Sequence, residues 1–238
     1  MIRKLLPAAM MMMAALVPFV EGQTSASTGQ PPAPPSYCKP CLFYAGDFSP
    51  KAAKANALFN GYSEVGEGQV FVPFTVPAKH TWTVTGALAN VLTNATSLQP
   101  VGTPWAIWTG VSQGKAGTQV GGCRNNATMS PTGRNAFGYN EYTYLIKAPR
   151  TCYVKLTAGT YWLTLMPQNT VNYFSFYLSD VETVPAPHQW GPPEPMDQSY
   201  ANSPTFGTNY TPTWGQDFGG CAGVGCDRFS VGLLGTSK

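Results

Sequence analysis

Charge is scarce in this sequence. Asp, Glu, Lys and Arg make up 11% of its 238 residues, and the 14 basic side chains, set against 11 acidic ones, are scattered along the chain. Gripping nucleic acid by its phosphates needs a basic patch or stripe, so no nucleic-acid partner is expected. Histidine is nearly missing: His80 and His188 are the only two. His80 falls on a strand-like face with Trp82 and Val84, which reads as a sheet margin rather than a catalytic base. Long runs with a 3.6-residue repeat are missing too, and only "KAAKANALF" (51–59) reads as a turn or two of helix. Parallel sheets need crossover helices, so doubly wound and βα-barrel plans are excluded.

What is present begins with "MIRKLLPAAMMMMAALVPFVEG". Arg3 and Lys4 precede an apolar stretch from Leu5 to about Val20, and small residues follow near Gly22. This is the pattern of a secretory signal over residues 1–22. Its apolar run is shorter than the roughly 20 residues of a spanning helix, and polar residues follow, so cleavage is expected and no membrane attachment after it. Residues 23–36, "QTSASTGQPPAPPS", read as an extended proline-rich linker, and 37–238 as a single domain. All six cysteines (38, 41, 123, 152, 221 and 226) lie in the exported part. An even count in an oxidising compartment reads as a disulfide set. Proximity in the chain favours Cys38–Cys41 and Cys221–Cys226, which leaves Cys123–Cys152.

Apolar residues recur at every second position. Val70, Val72, Phe74 and Val76 alternate with Phe71, Pro73 and Thr75, and the pattern returns around Trp82–Val84 and in 105–111, 142–147, 152–157, 160–166, 172–179 and 229–234. Period two marks strands with one face buried. Eight such segments suffice for two packed sheets, and Ala158–Gly159 reads as the tight connection of a hairpin. Between Val184 and Gly220 lies a long proline- and aromatic-rich stretch without periodicity, read as a loop packed over an open end of the sandwich. The expected fold is all-β: a two-layer antiparallel β-sandwich, jelly-roll-like, with one long irregular loop.

The segments "WAIWTGVSQGKAGT" (105–118), "SPTGRNAFGYNEYTY" (130–144), "LTAGTYWLTLMP" (156–167) and "DRFSVGLLG" (227–235) resemble a family of secreted bacterial β-sandwich domains of unknown function, many of which carry a PEP-CTERM or other choice-of-anchor tail. The resemblance runs from about Tyr44 onward. It implies a fold and an extracellular, periplasmic or cell-surface location, and no reaction. After Leu234 this sequence has only "GTSK", which favours free release over anchoring.

Motifs with chemical meaning are few. "GVSQG" (110–114) spells the G-x-S-x-G nucleophile elbow, with Asp180 and His188 following in hydrolase order. The elbow needs a helix after its serine, and the glycines of "KAGTQVGG" make a poor one. A serine hydrolase using Ser112, Asp180 and His188 is therefore the alternative reading. "CKPC" (38–41) can be a redox pair, but it follows a linker and precedes "LFYAG", so a structural disulfide is expected. Calcium through Asp217 or Asp227 lacks a dense run of carboxylates, and no cofactor is expected. Aromatic rings can stack on the apolar faces of sugars. On that ground Tyr173, Tyr177, Trp190, Tyr210 and Trp214 are the candidate ligand-binding residues. The expected function is that of a secreted, non-catalytic binding or matrix module whose partner is a polysaccharide or cell-surface component; the oligomeric state is left open.

Overall fold

The structure, a computed structural model, describes residues 35–47, 69–93, 102–136, 138–166, 176–179, 190–191, 199–203, 207–212 and 229–238; of positions 136, 176 and 177 it describes the backbone alone. All of these fall in one compact unit, Pro31–Lys238. Among the described residues there are thirteen strands in two sheets, and every strand pair is antiparallel.

The first sheet runs in the order β1 (Cys41–Tyr44), β13 (Val231–Ser237), β3 (Trp82–Thr93), β7 (Tyr139–Lys147), β6 (Ala127–Ala136). Two short strands, β8 (Val154–Leu156) and β10 (Phe176–Leu178), also pair with the long β3. The second sheet runs β12 (Thr208–Pro212), β11 (Tyr200–Ser203), β2 (Gln69–Val76), β9 (Gly159–Leu165), β4 (Thr103–Thr109), β5 (Thr118–Asn125). The expected antiparallel sandwich is present. Jelly-roll winding is a finer statement than this strand order makes.

Period-two alternation builds the core between the sheets, because successive side chains of a strand point to opposite faces. Val70, Val72, Phe74 and Val76 of β2 meet Leu163 and Leu165 of β9, Ile107 of β4, Tyr144 and Ile146 of β7 and Leu233 of β13. Phe74 is fully buried and stacks on three rings: Trp82 at 6.1 Å, Phe43 at 6.1 Å and Tyr161 at 5.8 Å between centroids.

β3 changes phase partway along. Trp82 and Val84 enter the core, but so do Ala87, Ala89 and Val91. The switch coincides with a bulge against β13, where Leu234 pairs with Gly86 and Gly235 pairs with Val84. One extra residue on one strand of a pair turns the later side chains to the other face. Leu88 and Asn90 therefore lie on the outer face of the first sheet, yet both are completely buried. A second cover must lie over that face, and segment 35–47 supplies it: Cys38, Tyr44, Leu88 and Leu234 form a small apolar cluster with Tyr37, Cys41, Leu145 and Trp190 packed against it.

Several expectations change. β8 and β9 do not form a hairpin: β8 pairs with β3 and β9 with β2 and β4, so Gly159 carries the chain from one sheet to the other. The 184–220 stretch is not wholly irregular. It contributes β11 and β12, and Trp190 bridges Tyr44 through paired backbone bonds of 2.9 Å. Pro35 and Ser36, assigned to the linker, pack onto the domain, with the Cys38 N–H donating to Pro35 O at 2.9 Å. His80 sits in the turn before β3, its Nδ1 2.9 Å from Ser237 Oγ. The helical turn at 51–59 and the first residues of the 172–179 strand lie outside the described residues.

Two expected disulfides are formed, Cys38–Cys41 and Cys123–Cys152, and Cys221–Cys226 lies outside the described residues. Cys123 belongs to β5 of the second sheet, and Cys152 ends the 3-10 turn Arg150–Cys152 that leads into β8 of the first. This bond staples the two layers at one end. Disulfides persist in oxidising compartments, so the pair fits an extracellular environment. Among the described residues no helix is long and apolar enough to cross a membrane.

Candidate functional site

Two surfaces of the sandwich carry chemistry, one on each outer face. The first lies where segment 35–47 crosses the outer face of the first sheet. Strand register puts Ser130 of β6 beside Thr143 of β7, and Thr143 beside Asn90 of β3, so these three polar groups form a row across the strands. The Thr143 hydroxyl donates to Asn90 Oδ1 at 2.6 Å. Asn90 Nδ2 in turn donates to the Tyr44 hydroxyl at 2.7 Å and to Ser230 Oγ at 2.8 Å, and Ser230 Oγ donates to the carbonyl of Gly46.

Asp47 completes this network from above. Its Oδ1 accepts from Tyr37 at 2.8 Å and from the Tyr44 hydroxyl, and its Oδ2 lies 3.1 Å from Nη1 of Arg134. Arg134 also donates through Nε to Oε2 of Glu141. The Glu141 side chain has no solvent exposure, Asp47 retains 7% and Arg134 21%. Thr132 locks the corner by donating to Glu141 Oε2 at 2.7 Å while accepting the N–H of Arg134 at 3.1 Å. Buried charges persist when they are paired and hydrogen-bonded, and here one guanidinium serves two carboxylates. Among the described residues, buried Glu141 Oε1 has no hydrogen-bond partner.

Burial shapes the protonation of this cluster. It raises the Tyr37 phenol above its usual range, with Asp47 pushing the same way. It raises Tyr44 further, helped by the neighbouring Tyr37 and Asp47. For Arg134 burial works against the charge, but Glu141 and Asp47 outweigh it and hold the guanidinium above its usual range. The cluster therefore stays as neutral phenols around a charged guanidinium. Beside it opens a cavity of about 420 Å³, lined by Tyr37, Asp47, Ser130, Thr132, Arg134 and Thr143, with Pro35, Pro131 and Leu145 as apolar walls.

The second surface is the outer face of the second sheet. Phe71, Val111 and Trp162 are buried there, and Trp108, Tyr200 and Tyr210 are half-buried around them. The Phe71 ring lies 5.5 Å from Trp108 and 5.2 Å from Tyr210. Trp108 Nε1 donates to Thr164 at 3.2 Å, which fixes the indole. The turn after β4 leans on this cluster through a bond from Gly114 N–H to Tyr210 O of 3.3 Å.

Ser112 belongs to that turn. Its N–H donates to Lys115 O at 3.2 Å and its carbonyl accepts from Lys115 N–H at 2.8 Å, closing a tight reversal, and β5 then returns antiparallel to β4. The strand-to-helix corner that exposes a nucleophilic serine does not occur at this position. Asp180 and His188 lie outside the described residues, as do Tyr173 and Trp214, and of Tyr177 only the backbone in β10 is described. The structure separates the two other ligand-binding candidates: Trp190 packs on the first sheet's outer face and Tyr210 on the second's. Among the described residues no group of three or more His, Cys, Asp and Glu gathers to hold a metal.

Sequence reading missed the Asp47–Arg134–Glu141 cluster altogether. "NEYTYLIK" does show Glu141 and Thr143 on the face opposite Tyr142, Tyr144 and Ile146. That phase alone predicts solvated side chains. No family model, curated protein or solved structure matches the chain.

Proposed function

We propose that this protein is an exported, non-catalytic binding module that contacts polysaccharide through the outer face of its second sheet. The observation that carries the reading is the half-buried arrangement of Trp108, Tyr200 and Tyr210 around the buried Phe71 and Trp162. Large rings held by packing and partly open to solvent offer flat apolar area at little entropic cost, and pyranose rings present apolar C–H faces of matching size. Secretion rests on the N-terminal signal pattern, with the two disulfides in support. The resemblance to exported β-sandwich domains points the same way.

Affinity electrophoresis through soluble glucans, mannans and bacterial cell-wall polysaccharide tests the reading. Retardation that is lost in Trp108→Ala and Tyr210→Ala, and kept in Trp190→Ala, is expected. Equal retardation of all four proteins, or none of any, overturns it. A fluorophosphonate that labels Ser112 in the folded protein overturns the non-catalytic half.

A further inference from the structure

We infer that the cavity beside Arg134 is a second binding site, specific for a small neutral polyol such as a single pyranose ring. Its volume of about 420 Å³ lies within the roughly 300–1,000 Å³ of small-molecule sites, and the charge on its walls is already engaged. Arg134 directs Nη1 and Nη2 to Asp47 and Nε to Glu141. An anionic ligand would find only the two N–H groups left on that guanidinium and would lie beside the carboxylates of Asp47 and Glu141 that already share it. A cationic ligand meets Arg134 itself on the wall, while both Asp47 oxygens already accept bonds from Arg134, Tyr37 and Tyr44.

Neutral hydrogen-bonding capacity remains. The hydroxyl of Thr143 spends its proton on Asn90 Oδ1, which leaves its lone pairs to accept. Ser130 is exposed at the rim, with a hydroxyl able to donate and accept. Pro131, Leu145 and the Tyr37 ring add apolar surface. Donors and acceptors set beside apolar walls, on a lining whose two charges, Asp47 and Arg134, are paired with each other, match the alternating O–H and C–H surface of a sugar. The network behind the wall holds Arg134, Thr132 and Tyr37 in place before any ligand arrives, and such preorganisation lowers the entropic cost of binding. This inference is independent of the aromatic face, which belongs to the opposite sheet.

Saturation-transfer NMR on the full chain, with the neutral methyl glycosides of glucose, mannose and galactose and with glucuronate and glucosamine as charged counterparts, tests it. Transfer to at least one neutral glycoside is expected, with weaker transfer to both charged sugars. Ser130→Trp places a large side chain at an exposed rim position and should weaken the neutral glycoside about tenfold or more without changing the melting temperature. Thr143→Val keeps the shape, removes a hydroxyl and should also weaken it. Trp108→Ala should leave intact the transfer that Ser130→Trp removes. Binding that survives Ser130→Trp but fails in Trp108→Ala overturns the cavity site and leaves the aromatic face standing. Preference for either charged sugar, or no transfer to any neutral glycoside, overturns it outright.

Discussion

Arg134 is the residue on which the buried charges of the first sheet's outer face depend. Without it Glu141, at 0% side-chain exposure, keeps a buried charge stripped of its ion pair, and Asp47, at 7%, loses its pairing with the guanidinium. Removing one partner of a buried pair typically costs about 3–5 kcal/mol. Arg134→Met should lower the unfolding free energy by that order in urea titration, and adding Glu141→Gln should recover part of the loss. The phenols of Tyr37 and Tyr44 give a second residue-scale prediction. Both are raised in the folded state, chiefly by burial. Above about pH 10 an unfolded tyrosine releases its proton while the folded one retains it, so the folded state binds more protons and stability falls as pH rises. The stabilisation is complete below about pH 10 and is lost through the raised folded values. Urea midpoints measured from pH 8 to 11 should decline more steeply in the native chain than in Tyr44→Phe.

At the scale of elements, the bulge in β3 decides what lies on which face. It permits Trp82 and Val84 to enter the core before it, and Ala87, Ala89 and Val91 after it. Gly86 marks the place, since a Cβ there would lie 2.2 Å from the carbonyl oxygen of Ile146 in β7. Backbone cannot retreat from such a contact without breaking the pairing. Gly86→Ala should therefore destabilise towards the upper end of the roughly 0.5–3 kcal/mol of ordinary substitutions, read from thermal unfolding. Gly114→Ala meets no atom within 4 Å but sits at φ +73, so its smaller cost comes from backbone conformation alone. The strands invisible to periodicity are explained at this scale as well. β5 is exposed or half-exposed along its whole length, so neither face demands apolar residues. β6 at the other sheet's edge is likewise mostly polar, and carries Pro131 and Gly133, which edge strands tolerate.

For the whole molecule, the two disulfides differ in what they constrain. Cys123–Cys152 closes a separation of 29 residues and joins the layers, whereas Cys38–Cys41 closes a separation of 3 within one segment. Loop-closure entropy grows with the closed length and gives about 3–4 kcal/mol for the longer loop. The double variant Cys123→Ser, Cys152→Ser should lose stability of that order in denaturant unfolding, and Cys38→Ser, Cys41→Ser distinctly less. Opening the shorter bond should instead loosen segment 35–47 over Tyr44 and Leu88, seen as faster amide exchange at Tyr44 and Asn90.

Alternation along β2, β4, β7 and β9 was legible from residue types alone, because a strand with one buried face must place an apolar side chain at every second position. The cysteine pairs at 38 and 41 and at 123 and 152 followed from chain proximity and elimination, and both bonds are formed. Tertiary structure alone decided that the outer faces are not simply solvated. Asp47, Asn90, Arg134, Glu141 and Ser230 come together across separations of 87 and 140 residues. Their partnership depends on strand order, on a one-residue bulge and on a covering segment. Local pattern records which side of a strand a residue takes, and holds no information about what the rest of the chain lays over that side.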